Sequence, residues 1–344
     1  MSMSRARVAR RIAAAAAYGG GGIGLLGGVA AVLLLTEVSH AKRVVGGSED
    51  PPPRADGRYG LDFAPRAGRP ALRLAFLGDS TAAGQGVHRP SQTPGALLAS
   101  GLAAVAELPV DLHNVAQPGA QSDDLERQVT LALEDPTTLP DVCVIMIGAN
   151  DVTHRMPPAQ SVRLLSEAVR RLRDGGCEVV VGTCPDLGTI EPVYQPLRWI
   201  ARRLSRQLAA AQTIGVVEQG GRTVSLGDLL GPEFAANPRE LFGPDNYHPS
   251  AEGYATAAMA ILPTLCGALG LWPEVPEEAR DVGILPVAKA AAEAAAEGGT
   301  EVTAARGPWA RLLRRDGHAS GERTPAAPKP AGAPSSTGPP PAAR

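Results

Sequence analysis

The chain has 344 residues, of which 44% are hydrophobic, 20% charged and only 3% aromatic, with a formal net charge of −2. That length holds one large domain, or one domain with appendages. The near-neutral charge and scarce aromatics exclude a dedicated nucleic-acid binder, which needs a basic face or stacking platforms.

Residues 1–11 are basic, with Arg5, Arg7, Arg10 and Arg11. Residues 12–35 follow as 24 positions without a charge, closed by Thr36-Glu37. As a helix this run spans ~36 Å, enough to cross a ~30 Å hydrocarbon core. It reads as a transmembrane helix or signal anchor. A cleaved signal peptide is the alternative. The apolar region of such peptides is shorter, ~7–15 residues, yet Ser39-His40-Ala41 offers small residues to a peptidase and seven glycines dilute the apolar character. In both cases the arginines stay inside and the rest is exported. The expected location is the cell membrane, single-pass with an extracytoplasmic catalytic domain, or secreted after cleavage. Gly20, Gly24 and Gly28 form overlapping GxxxG units, a spacing that composition alone produces in so Gly-rich a segment.

Residues 36–70 read as a linker, Gly/Pro/charge-rich from Val45 (Gly46-Gly47-Ser48-Glu49-Asp50-Pro51-Pro52-Pro53) and therefore semi-stiff. Residues 71–271 carry the globular pattern. Leu72–Leu77 (apolar apart from Arg73), Val142–Ile147 and Val179–Val181 are short apolar runs that suit strands, and Val110–Val115 is a weaker, more polar candidate. Amphipathic stretches separate or follow them: Gly95–Leu108, Ser122–Leu133, Ala159–Leu172, a helix bearing Ile200, Leu204, Leu208 and Ala211, and Ala251–Leu269. Strand–helix alternation with largely apolar strands predicts an α/β fold, a parallel sheet covered on both faces. Ligand chemistry on such a sheet sits at the strands' carboxyl ends. Residues 272–344 read as a largely disordered Ala/Pro-rich tail, with Ala/Glu-rich helical potential at Lys289–Glu297 and a small basic patch at Trp309–Arg315.

The residues after each strand carry the chemistry. Gly78-Asp79-Ser80-Thr81 places a serine at the end of the first run, where it is exposed as a nucleophile and flanked by backbone N–H groups. The second run leads into Asn114-Val115-Ala116-Gln117-Pro118-Gly119-Ala120, where Gly119 lets a backbone N–H approach a ligand. The third ends in Gly148-Ala149-Asn150-Asp151, an amide donor on the same edge, with Asp151 a candidate cap. Each of these is also an ordinary turn when taken alone. Near the end, Asp245-Asn246-Tyr247-His248 puts a carboxylate within reach of one imidazole nitrogen, leaving the other free to take a proton from a serine. The remaining histidines lack metal-ligand spacing, so no metal and no cofactor is expected.

These blocks, in this order, resemble those of the SGNH (GDSL) hydrolases. The resemblance spans the whole of 71–271 and neither terminus, and it departs at Thr81, where the family name has leucine. It implies a flavodoxin-like three-layer αβα sandwich with a parallel sheet, and action on carboxylic esters, lipids, acetylated sugars or thioesters. It implies Ser80 as nucleophile, His248 as base, Asp245 orienting His248, and an oxyanion hole from the N–H of Ser80, the N–H of Gly119 and the amide of Asn150. A serine esterase or lipase-type acyl hydrolase is the expectation. A cell-envelope carbohydrate O-deacetylase or an O-acyltransferase uses the same scaffold, and a non-catalytic binding module is disfavoured because all the key residues are present. Expected partners are an ester substrate and, through the N-terminal helix, the membrane, with no nucleic acid.

Pro185–Pro196, with Leu187, Ile190, Val193 and Tyr194, is expected to line the acyl or leaving-group pocket. His154 and Arg155 are candidate substrate contacts, though helix-start surface residues are the simpler account. Of Cys143, Cys177, Cys184 and Cys266, the pair Cys177–Cys184 brackets a strand too long for a bridge.

Overall fold

The computed structural model describes residues 36, 37, 40, 50–63, 70–190, 193–227, 238–272, 286–295 and 301–303. The strands are β1 Gly57–Tyr59, β2 Leu72–Gly78, β3 Val110–Asn114, β4 Val142–Met146, β5 Glu178–Gly182, β6 Arg222–Val224 and β7 Glu301–Val302. The helices are α1 Ser80–Ala83, α2 Pro94–Ala106, α3 Leu125–Ala132, α4 Ala149–Thr153, α5 Pro158–Asp174, α6 Leu197–Glu218, α7 Pro238–Leu241, α8 Ala251–Ala268 and α9 Val287–Ala294.

The strands form one seven-stranded sheet in the order β1-β3-β2-β4-β5-β6-β7. The inner five, β3-β2-β4-β5-β6, run parallel, which is the flavodoxin-like order with its reversal between β2 and β4. A purely parallel sheet was the expectation, and the sheet is mixed. β1 joins β3 and β7 joins β6, both antiparallel. These edge strands are two or three residues long, too short to show a two-residue period. They belong to stretches that read as linker and tail, so the sheet draws on both sides of 71–271. Side chains dock β1: Arg58 makes a fork with Asp111 at 2.6 and 2.7 Å, and Asp56 accepts the Asn114 N–H at 2.7 Å.

β4 and most of β2 and β5 are buried on both faces, as the alternation required, whereas β3 leaves His113 exposed. Leu74, Phe76, Val142, Val144 and Val180 turn to one side, where α2 and α8 cover them. Ala75, Leu77, Cys143, Ile145 and Val179 turn to the other, under α3, α5 and Val216 of α6. Each fully buried Leu, Val or Phe in these layers contributes ~1.5–3 kcal/mol. The two layers cover the faces of the sheet, and its carboxyl edge is left to the loops.

All four cysteines are buried and unbridged. The basic segment, the uncharged run 12–35, and the tail beyond 303 with its 309–315 patch lie outside the described residues. Among the described residues no helix is long and apolar enough to cross a membrane.

Candidate active site

The strand order reverses between β2 and β4, and the predicted residues lie on the segments around the carboxyl edge of the sheet. β2 ends at Gly78, with φ +136°, and a Cβ at that position would lie 1.9 Å from the Met146 carbonyl oxygen. Only glycine lets β2 and β4 stay this close while the chain turns. Asp79 caps α1, its Oδ1 accepting the Thr81 N–H at 2.9 Å. Ser80 is thereby the first residue of a helix, and its N–H is one of the donors left without an intrahelical partner.

His248 reaches Ser80 from a segment 168 positions away, with Nε2 2.8 Å from Ser80 Oγ. Its Nδ1 lies 2.6 Å from Asp245 Oδ2. Asp245 Oδ1 accepts the N–H groups of Tyr247 and His248, both at 3.0 Å. Burial pushes the Asp245 carboxyl up, but the bonds from the His248 ring and these backbone N–H groups outweigh it and hold it below its ordinary range. An ionised carboxylate therefore faces Nδ1, fixing that nitrogen as the proton-bearing one. The Tyr247 ring meets the His248 ring edge-on, with centroids 4.8 Å apart.

Asn150 sits in the first turn after β4. Its Nδ2 donates one hydrogen to the Ala120 carbonyl at 3.0 Å, which aims the amide and leaves its second hydrogen for a ligand. The same bond ties Asn150 to the loop carrying Gly119. Gly119 has φ +81°, in the left-handed region that favours glycine, and nothing lies within 4 Å of a Cβ position.

Several residues that hold this edge escape sequence reasoning. Asp151 lies inside α4 instead of capping it. Fully buried, it accepts the Ser122 N–H at 2.9 Å, the Ser122 hydroxyl at 2.5 Å and the Ser161 hydroxyl at 2.6 Å. It thus locks the Gly119 loop to the Asn150 turn. Gln128 clamps Gly78 from α3 with two bonds, accepting from its N–H at 2.7 Å and donating to its carbonyl at 2.9 Å. Gln212 of α6 does the same between strand ends, donating to the Ile147 carbonyl at 3.0 Å and accepting the Cys184 N–H at 2.8 Å. A signal existed for both glutamines: each is a polar residue on the apolar stripe of its helix.

Beside the site, Leu187, Ile190 and Val193 are buried with Ala149 and against Tyr247, an apolar wall next to the reacting groups. Tyr194, expected with them, is instead 60% exposed. His154 follows α4, its Nδ1 3.0 Å from the Asn150 carbonyl, and Arg155 is an exposed residue with φ +62°. Both are surface residues, as that account had them, but they follow the end of α4 and do not start a helix.

Residues 76–256 match the GDSL-like Lipase/Acylhydrolase family. The GDSL-like esterase Rv1075c of Mycobacterium tuberculosis is 43% identical over 244 residues, covering 68% of this chain and 76% of that protein. The solved structure of TesA is similar at 24% identity, covering 57% of this chain and 99% of its own, with a TM-score of 0.45. Axe2, an acetylxylan esterase from Geobacillus stearothermophilus, is similar at 20% identity, covering 58% and 95%, with a TM-score of 0.43.

Proposed function

The chain belongs to the GDSL-like lipase/acylhydrolase family and is a carboxylic ester hydrolase, and from that premise we propose that it works through an acyl-enzyme on Ser80. Ser80 Oγ attacks the ester carbonyl carbon as its proton passes to His248 Nε2. Collapse of the tetrahedral species breaks the acyl–oxygen bond, and His248 returns the proton to the departing alcohol. Water then repeats the sequence, releasing the acid and restoring the serine. Asp245 orients the imidazole and stabilises its charged form. The developing oxyanion is met by the N–H of Ser80, the N–H of Gly119 and the free hydrogen of Asn150 Nδ2, donors aimed before the charge appears.

The observation that carries this reading is the unbroken relay from Asp245 through His248 to Ser80, at 2.6 and 2.8 Å. The apolar wall of Leu187, Ile190 and Val193 supports an acyl chain beside it. The sequence supports an extracytoplasmic domain held to the membrane by residues 12–35, because a 24-residue uncharged run follows four arginines.

The test is hydrolysis of p-nitrophenyl acetate, butyrate and a long-acyl ester by the full chain and by Ser80→Ala. The variant is expected to be inactive and to lose labelling by a fluorophosphonate probe. Turnover by Ser80→Ala near the parent rate overturns the assignment.

A further inference from the structure

The chain emerging from the uncharged run meets the fold at one surface. Glu37 lies two residues beyond Leu35, and its Oε2 accepts the N–H of Leu197, the first residue of α6, at 3.1 Å. The His40 ring lies 5.6 Å from that of Tyr194. Around this contact the surface is aromatic and cationic. Tyr194 is 60% and Trp199 57% exposed, and the Arg203 guanidinium sits over the Trp199 ring at 5.7 Å. Arg202 and Arg203 follow Trp199 at three and four positions, so all three share one helix face.

Single exposed aromatics are ordinary on a soluble protein. Here an indole, a phenol and guanidinium groups lie near where Glu37 and His40 meet the fold. Indole and phenol rings favour the headgroup level of a bilayer, and arginine favours anionic lipid.

The same helix grips the wall of the site. Arg198 Nε donates to the Val193 carbonyl at 2.7 Å. Arg202 and Arg206 each bring Nε to 3.1 Å from Oδ2 of the buried Asp186, at the start of the stretch that carries Leu187, Ile190 and Val193. The exposed face of α6 and the apolar wall beside Ser80 are thus held to one another by direct bonds.

We propose that the Tyr194–Trp199–Arg203 surface docks on an anionic lipid bilayer, so that the ester reaching Ser80 is one carried by a membrane lipid. This rests on the esterase reading and on the membrane anchor, and it adds the orientation of the site. The docked surface then faces the membrane that holds the anchor, with the apolar wall bonded directly behind it.

The test uses the full chain with Trp272→Phe and Trp309→Phe, which leaves Trp199 as the sole tryptophan. It is reconstituted in phosphatidylcholine vesicles with and without phosphatidylglycerol brominated near the glycerol end of its chains. An indole at headgroup level should lose ~half of its emission to the bromines. In the otherwise unaltered chain, Trp199→Ser with Arg203→Ser should cut hydrolysis of a fluorogenic ester embedded in those vesicles by ~5–20-fold, the scale of one arginine and one anchoring ring. Soluble p-nitrophenyl acetate turnover should stay within ~2-fold, since neither residue touches the reacting groups. Unquenched Trp199 overturns the docking, as does emission already shielded without lipid, which marks a second copy on this face. Equal effects of the double variant on both esters overturn the lipid-borne substrate. Failure of the unaltered chain to hydrolyse either ester counts against the esterase reading instead, and the quenching result still decides the docking.

Discussion

Replacing Asp79 by Asn isolates one electrostatic cost in the nucleophile turn. The Asp79 side chain is fully buried, where desolvation disfavours its charge. The Thr81 N–H and the nearby His248 pull the other way, and the net effect pushes its carboxyl from 3.8 up to about 6. At ~1.36 kcal/mol per pH unit this difference corresponds to ~3 kcal/mol against the ionised native state. The sign follows from proton binding. Between 3.8 and about 6 the native state keeps the proton that the unfolded chain releases, so stability falls as pH rises through that window and levels off above it.

Asn keeps an oxygen to accept the Thr81 N–H and carries no charge. Asp79→Asn should therefore stabilise the protein by ~3 kcal/mol at pH 7.5 and by almost nothing at pH 4. Urea unfolding of the full chain in detergent, followed by tryptophan fluorescence at both pH values, measures the difference. Comparing variant with parent at each pH cancels other carboxylates, including Asp245, whose lowered value acts oppositely by withdrawing stability as pH falls. An equal gap at both pH values, or a variant weaker than the parent at pH 7.5, would refute the argument.

Asn150→Ala should remain folded and lose ~10²–10³ in kcat on p-nitrophenyl esters, the cost of one oxyanion donor; parent-like kcat would remove Asn150 from the hole. Asp151→Leu strands the Ser122 N–H and the Ser122 and Ser161 hydroxyls without their acceptor. A loss of ~2–4 kcal/mol in urea unfolding is expected, together with lower kcat as the Gly119 loop loosens, and unchanged stability would show that water replaces the carboxylate. Gly78→Ala puts a methyl into the Met146 carbonyl at a φ that L-residues avoid. Its cost should exceed ~3 kcal/mol, read as little soluble protein or a collapsed unfolding midpoint, and near-normal stability would contradict the 1.9 Å approach.

Much of the sheet was legible because its inner strands are buried on both sides. Val142–Met146, and Leu72–Gly78 apart from Arg73, are runs whose neighbours above and below are helices, so they are apolar and stand out. The edges have no such marker. Gly57–Tyr59 pairs along one side only, and a Gly-Arg-Tyr triplet after a proline cluster looks like spacer. What places it is Arg58 against Asp111, a contact between residues 53 positions apart. β6 was missed for a related reason: three residues cannot show a period.

The site divides along the same line. Asp245 and His248 are three residues apart, so their pairing follows from one turn. Ser80, Gly119 and Asn150 are remote in sequence, and their placement on loops of one edge was inferable because parallel strands bring their carboxyl ends to a common side. No comparable rule reaches Asp151, Gln128 or Gln212. A buried polar side chain must find a partner, but sequence does not say which of the backbone groups within reach it takes. Gln128 on the Leu125–Val129–Ala132 stripe announces only that some buried acceptor and donor lie opposite it. The partner proves to be Gly78, the residue whose missing side chain lets β2 and β4 approach. The position of Ser80 therefore depends on a glutamine behind the strand that lies outside the sequence blocks, and the loop beside it on Asp151, a carboxylate inside the third block whose partners that block does not announce.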